Sequence, residues 1–280
     1  MKQKTGLATG GQNQYNETVC KKGEIKMEIT LQTLLIVCPL VFLAGLIDAI
    51  AGGGGLISLP AYFFAGVPAH MAIATNKLSS SIGTLVAAFR FYRRRLIQPD
   101  AALMGVGCAL LGSAIGSNLS LMASENLIRI IMIPLLPFVA WHVLNGKGLK
   151  ETEGEVDLPK RQVLKVVALS AFVVGMYDGF YGPGTGTFLI LLFTAFAGMN
   201  VTIANGNAKV INLASNVMSL FVFLLNGQVL FLLGLPAALC SIAGNYLGST
   251  LVMKNGIRIV RPIIIVVLVI LFIKIIMEMM

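Results

Sequence analysis

Hydrophobic runs of about twenty residues, separated by short polar turns, fill most of this chain and leave little choice of fold. A membrane-spanning helix needs about 20 mainly apolar residues, because the hydrocarbon core is roughly 30 Å thick and a helix rises about 1.5 Å per residue. Long runs lie at about 31–51, 70–92, 99–122, 126–145, 162–181, 201–226, 228–252 and 258–278. Two shorter runs, about 54–67 and 184–199, follow glycine-rich stretches and read as half-helices or tilted helices. The count is therefore eight to ten segments. Charged residues make up only 12% of the chain, about half the roughly 25% of a soluble domain. The expected fold class is an all-α polytopic membrane protein.

The net charge of +9 would suggest nucleic acid for a soluble protein. Here the cations cluster between hydrophobic runs, at Arg93-Arg94-Arg95, Lys147 to Lys165 and Lys254 to Arg261. That placement fits cytoplasmic anchoring at a membrane, and no nucleic-acid partner is expected. Cys20, Cys38, Cys108 and Cys240 lack CxxC spacing, and the last three sit in apolar runs as small packing residues. No metal site or cofactor is expected. Serine-hydrolase, zinc-protease and nucleotide-loop motifs are missing, so no catalytic residue is assigned and no enzyme is expected. His70 beside Pro68 reads as a turn residue, and Trp141 and His142 as interfacial.

Residues 1–28 are polar and read as a disordered extension rather than a signal peptide. Codons for Lys22-Gly23-Glu24 can spell a purine-rich ribosome-binding sequence, so the expected translation start is Met27. Residues 29–146 form a first membrane repeat, 147–161 a charged cytoplasmic linker, and 162–280 a second repeat. The duplication is visible in order. Gly45-x-x-Asp48-x-x-x-Gly52-x-Gly54 matches Gly175-x-x-Asp178-x-x-x-Gly182-x-Gly184. Asn76-Lys77 aligns with Ala208-Lys209, and Gly112-x-x-x-Gly116-Ser117 with Gly244-x-x-x-Gly248-Ser249. Ordered matches at nearly constant offset mark an internal repeat. An odd number of crossings per half would invert the copies, as in many secondary transporters. Arg93-Arg94-Arg95 against the uncharged Asn226-Gly227-Gln228 supports inversion.

Three duplicated features carry candidate chemistry. The breaks at Gly52, Gly53, Gly54 and Gly55 and at Gly182, Gly184 and Thr185 interrupt helices. A helix that restarts after such a break offers N–H groups and a dipole to an anion. Close helix packing is the other reading. Lys77, with Asn76 and Ser80, and Lys209, with Asn205, Asn207, Asn212, Ser215 and Asn216, lie inside apolar segments, where a charge costs at least about 2.5–3.5 kcal/mol. They are expected either to bind an anion, to snorkel from a helix end, or to pair with Asp48 or Asp178. Asp48 and Asp178 in turn could balance a lysine, couple an ion or proton, or cap the broken helix.

The block "HMAIATNKLSSSIGTLVAAFRFYRRRLI" at residues 70–97, with its copy "YDGFYGPGTGTFLILLF" and "ANGNAKVINLASNVMSL", resembles the sulfite exporter TauE/SafE family of membrane transporters. The resemblance covers about residues 33–278. It implies movement of sulfite or organosulfur anions. The expected function is a secondary transporter that exports a small inorganic or organosulfur anion across the cell membrane by alternating access. An anion channel and a non-catalytic membrane subunit are the alternatives. The lipid bilayer is the other expected partner, with homo-oligomerisation left open.

Overall fold

The structure is a computed structural model that describes residues 30–123, 158–256, 258–267 and 269. The readings of residues 1–28, Cys20, the run at 126–145 with Trp141 and His142, and all but the end of the linker lie outside the described residues.

Thr30 opens the first helix by accepting the Thr33 N–H on its hydroxyl, and α1 runs Leu31–Ala51. It stops at Gly52, whose φ of 79° puts the backbone in the left-handed region. The chain restarts as α2 (Gly55–Phe64), turns, and continues as α3 (Ala69–Arg93) and α4 (Pro99–Met122). The second half repeats this order with α5 (Lys160–Phe180), α6 (Thr185–Phe196), α7 (Val201–Leu225) and α8 (Phe231–Asn255). Residues 258–267 are helical. Among the described residues there is no strand. His70, read as a turn residue, stands in the first turn of α3 instead, with its Nε2 3.0 Å from Ser120 O.

Five helices, α1, α4, α5, α7 and α8, are long and apolar enough to cross a membrane, so the chain is a multi-pass membrane protein. Helix α3 matches α7 at 25 residues but carries Lys77, Arg90 and Arg93, which lower its apolarity. Helices α2 and α6 have 10 and 12 residues. At about 1.5 Å per residue they reach roughly half the hydrocarbon thickness, as half-helices should. Large apolar side chains such as Leu103, Leu111, Leu232 and Leu239 point outward, where lipid can solvate them.

The halves hold each other reciprocally. Helix α4 packs along α5 and α8 along α1, while α3 and α7 face each other at the centre. Small residues make these contacts close. A Cβ on Gly112 or Gly116 would lie 2.2 Å from Phe172 O or 1.9 Å from Met176 O. A Cβ on Gly244 or Gly248 would lie 2.1 Å from Phe42 O or 2.4 Å from Leu46 O. Phe42 and Leu46 occupy the positions of Phe172 and Met176 in the other repeat. The exchange recurs in hydrogen bonds. Gln98 N–H donates to Asn207 Oδ1 at 3.3 Å, and Leu230 N–H, its counterpart, donates to Thr75 Oγ1 at 3.1 Å.

The two glycine breaks meet in the middle. Gly52 lies against Gly186 so closely that a Cβ on either would fall 2.2 or 2.6 Å from the other's backbone. Gly55 approaches Pro183 Cα in the same way, at 3.0 Å from its missing Cβ. Side chains of α6 and α7 then satisfy the carbonyls that end α1. Thr187 Oγ1 donates to Ala51 O at 2.6 Å. Asn205 Nδ2 donates to Ile50 O at 2.9 Å and Ala49 O at 3.2 Å. Lys209 Nζ donates to Asp48 O. The last four carbonyls of a helix have no partner of their own, and within a bilayer water cannot replace one.

Gly52 and Gly66 separate strain from close contact. Both have positive φ, 79° and 78°, but nothing lies within 4 Å of a Cβ on Gly66. Gly66→Ala should cost only the left-handed penalty of about 1–2 kcal/mol. Gly52→Ala adds a backbone clash and should cost at least about 2 kcal/mol more. Thermal unfolding of the two detergent-purified variants checks the ranking.

Candidate functional site

Helical spacing puts Lys77, Ser80 and Thr84 on one stripe of α3, and Lys209, Asn212 and Asn216 on the matching stripe of α7. These stripes face the ends of α1 and α5, where Asp48 and Asp178 stand just before the breaks. The lysines do not snorkel: Lys77 is 2% exposed and Lys209 fully buried. Each pairs with the aspartate of the opposite repeat. Lys77 Nζ lies 2.7 Å from Asp178 Oδ2 and donates to Asn216 Oδ1 at 2.9 Å. Lys209 Nζ lies 3.0 Å from Asp48 Oδ2. The two ion pairs are thus exchanged between repeats, and the centre carries no net charge.

The pairs are equivalent in sequence but not in surroundings. Asp178 is enclosed, its side chain 3% exposed. Thr185 Oγ1 reaches Asp178 Oδ1 at 2.8 Å and Ser215 Oγ reaches Oδ2 at 2.6 Å. Asp48 is more open, its side chain 14% exposed. Besides Lys209, it receives one long contact among the described residues, from Thr84 Oγ1 at 3.4 Å. Thr185 and Ser215 fall where the first repeat has Gly55 and Gly83, so the first repeat has no hydroxyl to offer Asp48 at those positions.

A cavity of about 20 Å³ lies between the pairs. Its wall includes Asp48, Lys77, Asp178 and the backbone of Gly52, Gly55 and Gly182. Asn76, Ser80, Thr185 and Asn212 face it as well, joined by Asn216. That volume holds about one water molecule, well short of an oxyanion with its several oxygens. In this conformation the centre has no room for such an anion.

Other expected site residues stand elsewhere. Gly53 packs on Val267, and Gly54 on Ala44 and Asp48. Gly184 opens α6 without lining the cavity. Asn207 bonds Ile203 O and the Gln98 N–H, on the side of the α3–α4 connection. Asn205 caps α1, as described above. Lys209 contacts Asp48 but does not line the cavity. Thr84, which contacts Asp48, is not among the expected site residues, and Asn216 is expected only as a polar neighbour of Lys209. Their signal is the spacing of four residues from Ser80 or Asn212 and seven from the lysine on one helix face. Among the described residues no group of three His, Cys, Asp or Glu side chains is arranged to hold a metal.

Broken helices that meet at the centre of two repeats recur in membrane transporters. The relatives agree. The chain is 35% identical over 243 residues to a probable membrane transporter protein of Haemophilus influenzae, covering 86% of this chain and 93% of that one. It is 33% identical over 247 residues to the probable membrane transporter protein YfcA of Escherichia coli, covering 85% and 90%. The Arabidopsis thaliana sulfite exporter TauE/SafE family protein 3 is 23% identical over 150 residues, covering 51% of this chain and 31% of that one. The family model of the sulfite exporter TauE/SafE matches residues 37–275. The chain belongs to the sulfite exporter TauE/SafE family.

Removing one member of a buried pair strands the other. Asp178→Leu should destabilise the protein by about 3–5 kcal/mol, and Lys77→Met by a similar amount. The double variant Lys77→Met/Asp178→Leu should recover most of the loss, because no uncompensated charge remains. Unfolding midpoints of the three variants complete the cycle. Asn205→Leu leaves Ala49 and Ile50 carbonyls without their donor and should cost about 1–3 kcal/mol for each. The same measurement reads it.

Proposed function

We propose that this protein is a secondary transporter that exports a small anion, sulfite or an organosulfonate, across the cell membrane by alternating access. The carrying observation is the pair of exchanged Lys–Asp bridges beside a small central cavity, at the meeting point of two broken helices. A buried ammonium supplies the attraction that an anion needs in a low-dielectric site. Lys77 faces the cavity directly, beside the amides of Asn76, Asn212 and Asn216 and the hydroxyls of Ser80 and Thr185. The cavity is too small for an anion in this conformation, so binding requires the two repeats to separate.

Both lysines already hold a carboxylate, so an incoming anion competes with Asp48 and Asp178. This competition links anion loading to the charge state of the aspartates and gives them the role of coupling residues. In this reading the repeats are inverted, the linker 147–161 is cytoplasmic, and rocking of one repeat against the other alternates access. A negative-inside potential of 100 mV favours exit of each negative charge by about 2.3 kcal/mol.

Proteoliposome flux of sulfite, sulfoacetate, taurine and sulfate tests the proposal. Saturable flux with trans-stimulation by the same anion is expected, and non-saturating flux without it would indicate a channel. Lys77→Ala and Lys209→Ala should lower flux at least about tenfold, and unchanged flux in both would remove the assigned site.

A further inference from the structure

A second cavity, of about 10 Å³, lies on the other side of Asp48, between α1, α2, α3 and α8. Its polar wall is made by Asp48, Ser58, Ser80, Thr84, Ser241 and Asn245. Glycines create the space: a Cβ on Gly83 would fall 2.1 Å from Ser241 Oγ and 2.7 Å from Asn245 Nδ2. A Cβ on Gly45 would fall 2.8 Å from Ser241 O.

Most of the donors around this cavity are directed at protein groups. Ser58 Oγ donates to Gly54 O at 3.2 Å, and Thr84 Oγ1 to Asp48 Oδ2. Ser80 Oγ donates to Asn76 Oδ1 at 3.4 Å. Asn245 Nδ2 donates to Ser241 O at 3.0 Å and reaches Ser241 Oγ at 3.4 Å. Apart from the Ser241 O–H, what remains is lone pairs: those of the Ser58, Ser80 and Thr84 hydroxyls, the Asp48 carboxylate and the Asn245 carbonyl oxygen. Asn245 is 1% exposed, and its Oδ1 is buried without a hydrogen-bond partner. An orphaned buried acceptor needs an explanation. A ring of oxygens with a single carboxylate suits a hard cation of one charge. The space is no larger than one water. Dehydrated Na⁺ is smaller than water, whereas K⁺ is about as large.

We propose that Asp48, Ser58 and Thr84 of the first repeat, with Asn245 from α8 of the second, form a sodium-ion site beside the central cavity, built around Asp48 and not around Asp178. The second repeat cannot copy it. Phe188 occupies the position of Ser58, Ser113 that of Asn245, and Asp178 is already enclosed by Lys77, Thr185 and Ser215. Na⁺ on Asp48 competes with Lys209 for the carboxylate and loosens that pair. Resting on the anion-site reading above, this makes the two ligands raise each other's affinity reciprocally. The direction of net flux then follows the combined gradients of both ligands, a question separate from binding.

The test begins without any anion substrate, so failure of the transport reading leaves it intact. Detergent-purified protein is unfolded thermally in NaCl, KCl and choline chloride at equal ionic strength, and ²²Na⁺ binding is measured in parallel. Sodium alone should raise the midpoint, by about 2–4 °C near saturation. Ser58→Ala should raise the sodium concentration for half-effect about tenfold, and Asp48→Asn should abolish both the shift and ²²Na⁺ binding. The wild-type comparison needs no variant to fold. Equal response to the three salts, or a sodium response that survives Asp48→Asn, would overturn the proposal. So would flux driven by a pH gradient with no sodium response, which would assign the cavity to water and a proton.

Discussion

Two lysines buried in membrane-grade helices set the terms for everything else in this structure. An isolated ammonium in hydrocarbon is too costly to persist, so each must meet a carboxylate. Each finds it in the opposite repeat, Lys77 with Asp178 and Lys209 with Asp48. Asp48 also lies beside Lys77 at the central cavity, but both direct bridges are made across the repeat interface. The halves must therefore be in contact along α3 and α7, with the ends of α1 and α5 brought in from either side. The small-residue faces of α4 and α8 allow that approach by letting backbone meet backbone.

The breaks belong to the same constraint. Ending a helix inside a membrane exposes carbonyls that only protein can satisfy. Helix α1 relies on Thr187, Asn205 and Lys209 from the other repeat. Helix α5 ends beside bonds from its own half, with Tyr177 Oη donating to Pro183 O at 2.7 Å and Thr185 Oγ1 lying 2.7 Å from Gly182 O. Lys209 thus serves as ion-pair partner and helix cap together, whereas Lys77 is free of the second duty and faces the cavity. One duplicated motif has become two different environments, an enclosed aspartate and an open one.

Much of this was legible beforehand. The hydrophobic runs located the helices to within a few residues, and α2 and α6 follow the breaks as half-helices. The paired Gly112/Gly116 and Gly244/Gly248 faces were readable because a missing side chain has one main use between helices. The site was legible as a set of residue types, but its membership was not. Gly53, Gly54, Gly184 and Asn207 share the motifs without sharing the cavity, since neighbouring residues on a turn or helix point in different directions. Asn205 looked like a ligand for an oxyanion and is a cap for α1, a role that depends on where another helix stops.

The sequence by itself determined that this chain is a bundle of membrane helices with a duplicated break, acid and lysine. Hydrophobic length and local glycine content act within a segment, so they need no knowledge of neighbours. Tertiary structure decided which aspartate neutralises which lysine, and that the two breaks touch. It also decided that Asp178 is enclosed while Asp48 opens on two cavities. Those outcomes depend on groups about 101 to 161 positions apart in the chain. Only packing across the repeat interface brings such groups within hydrogen-bond distance.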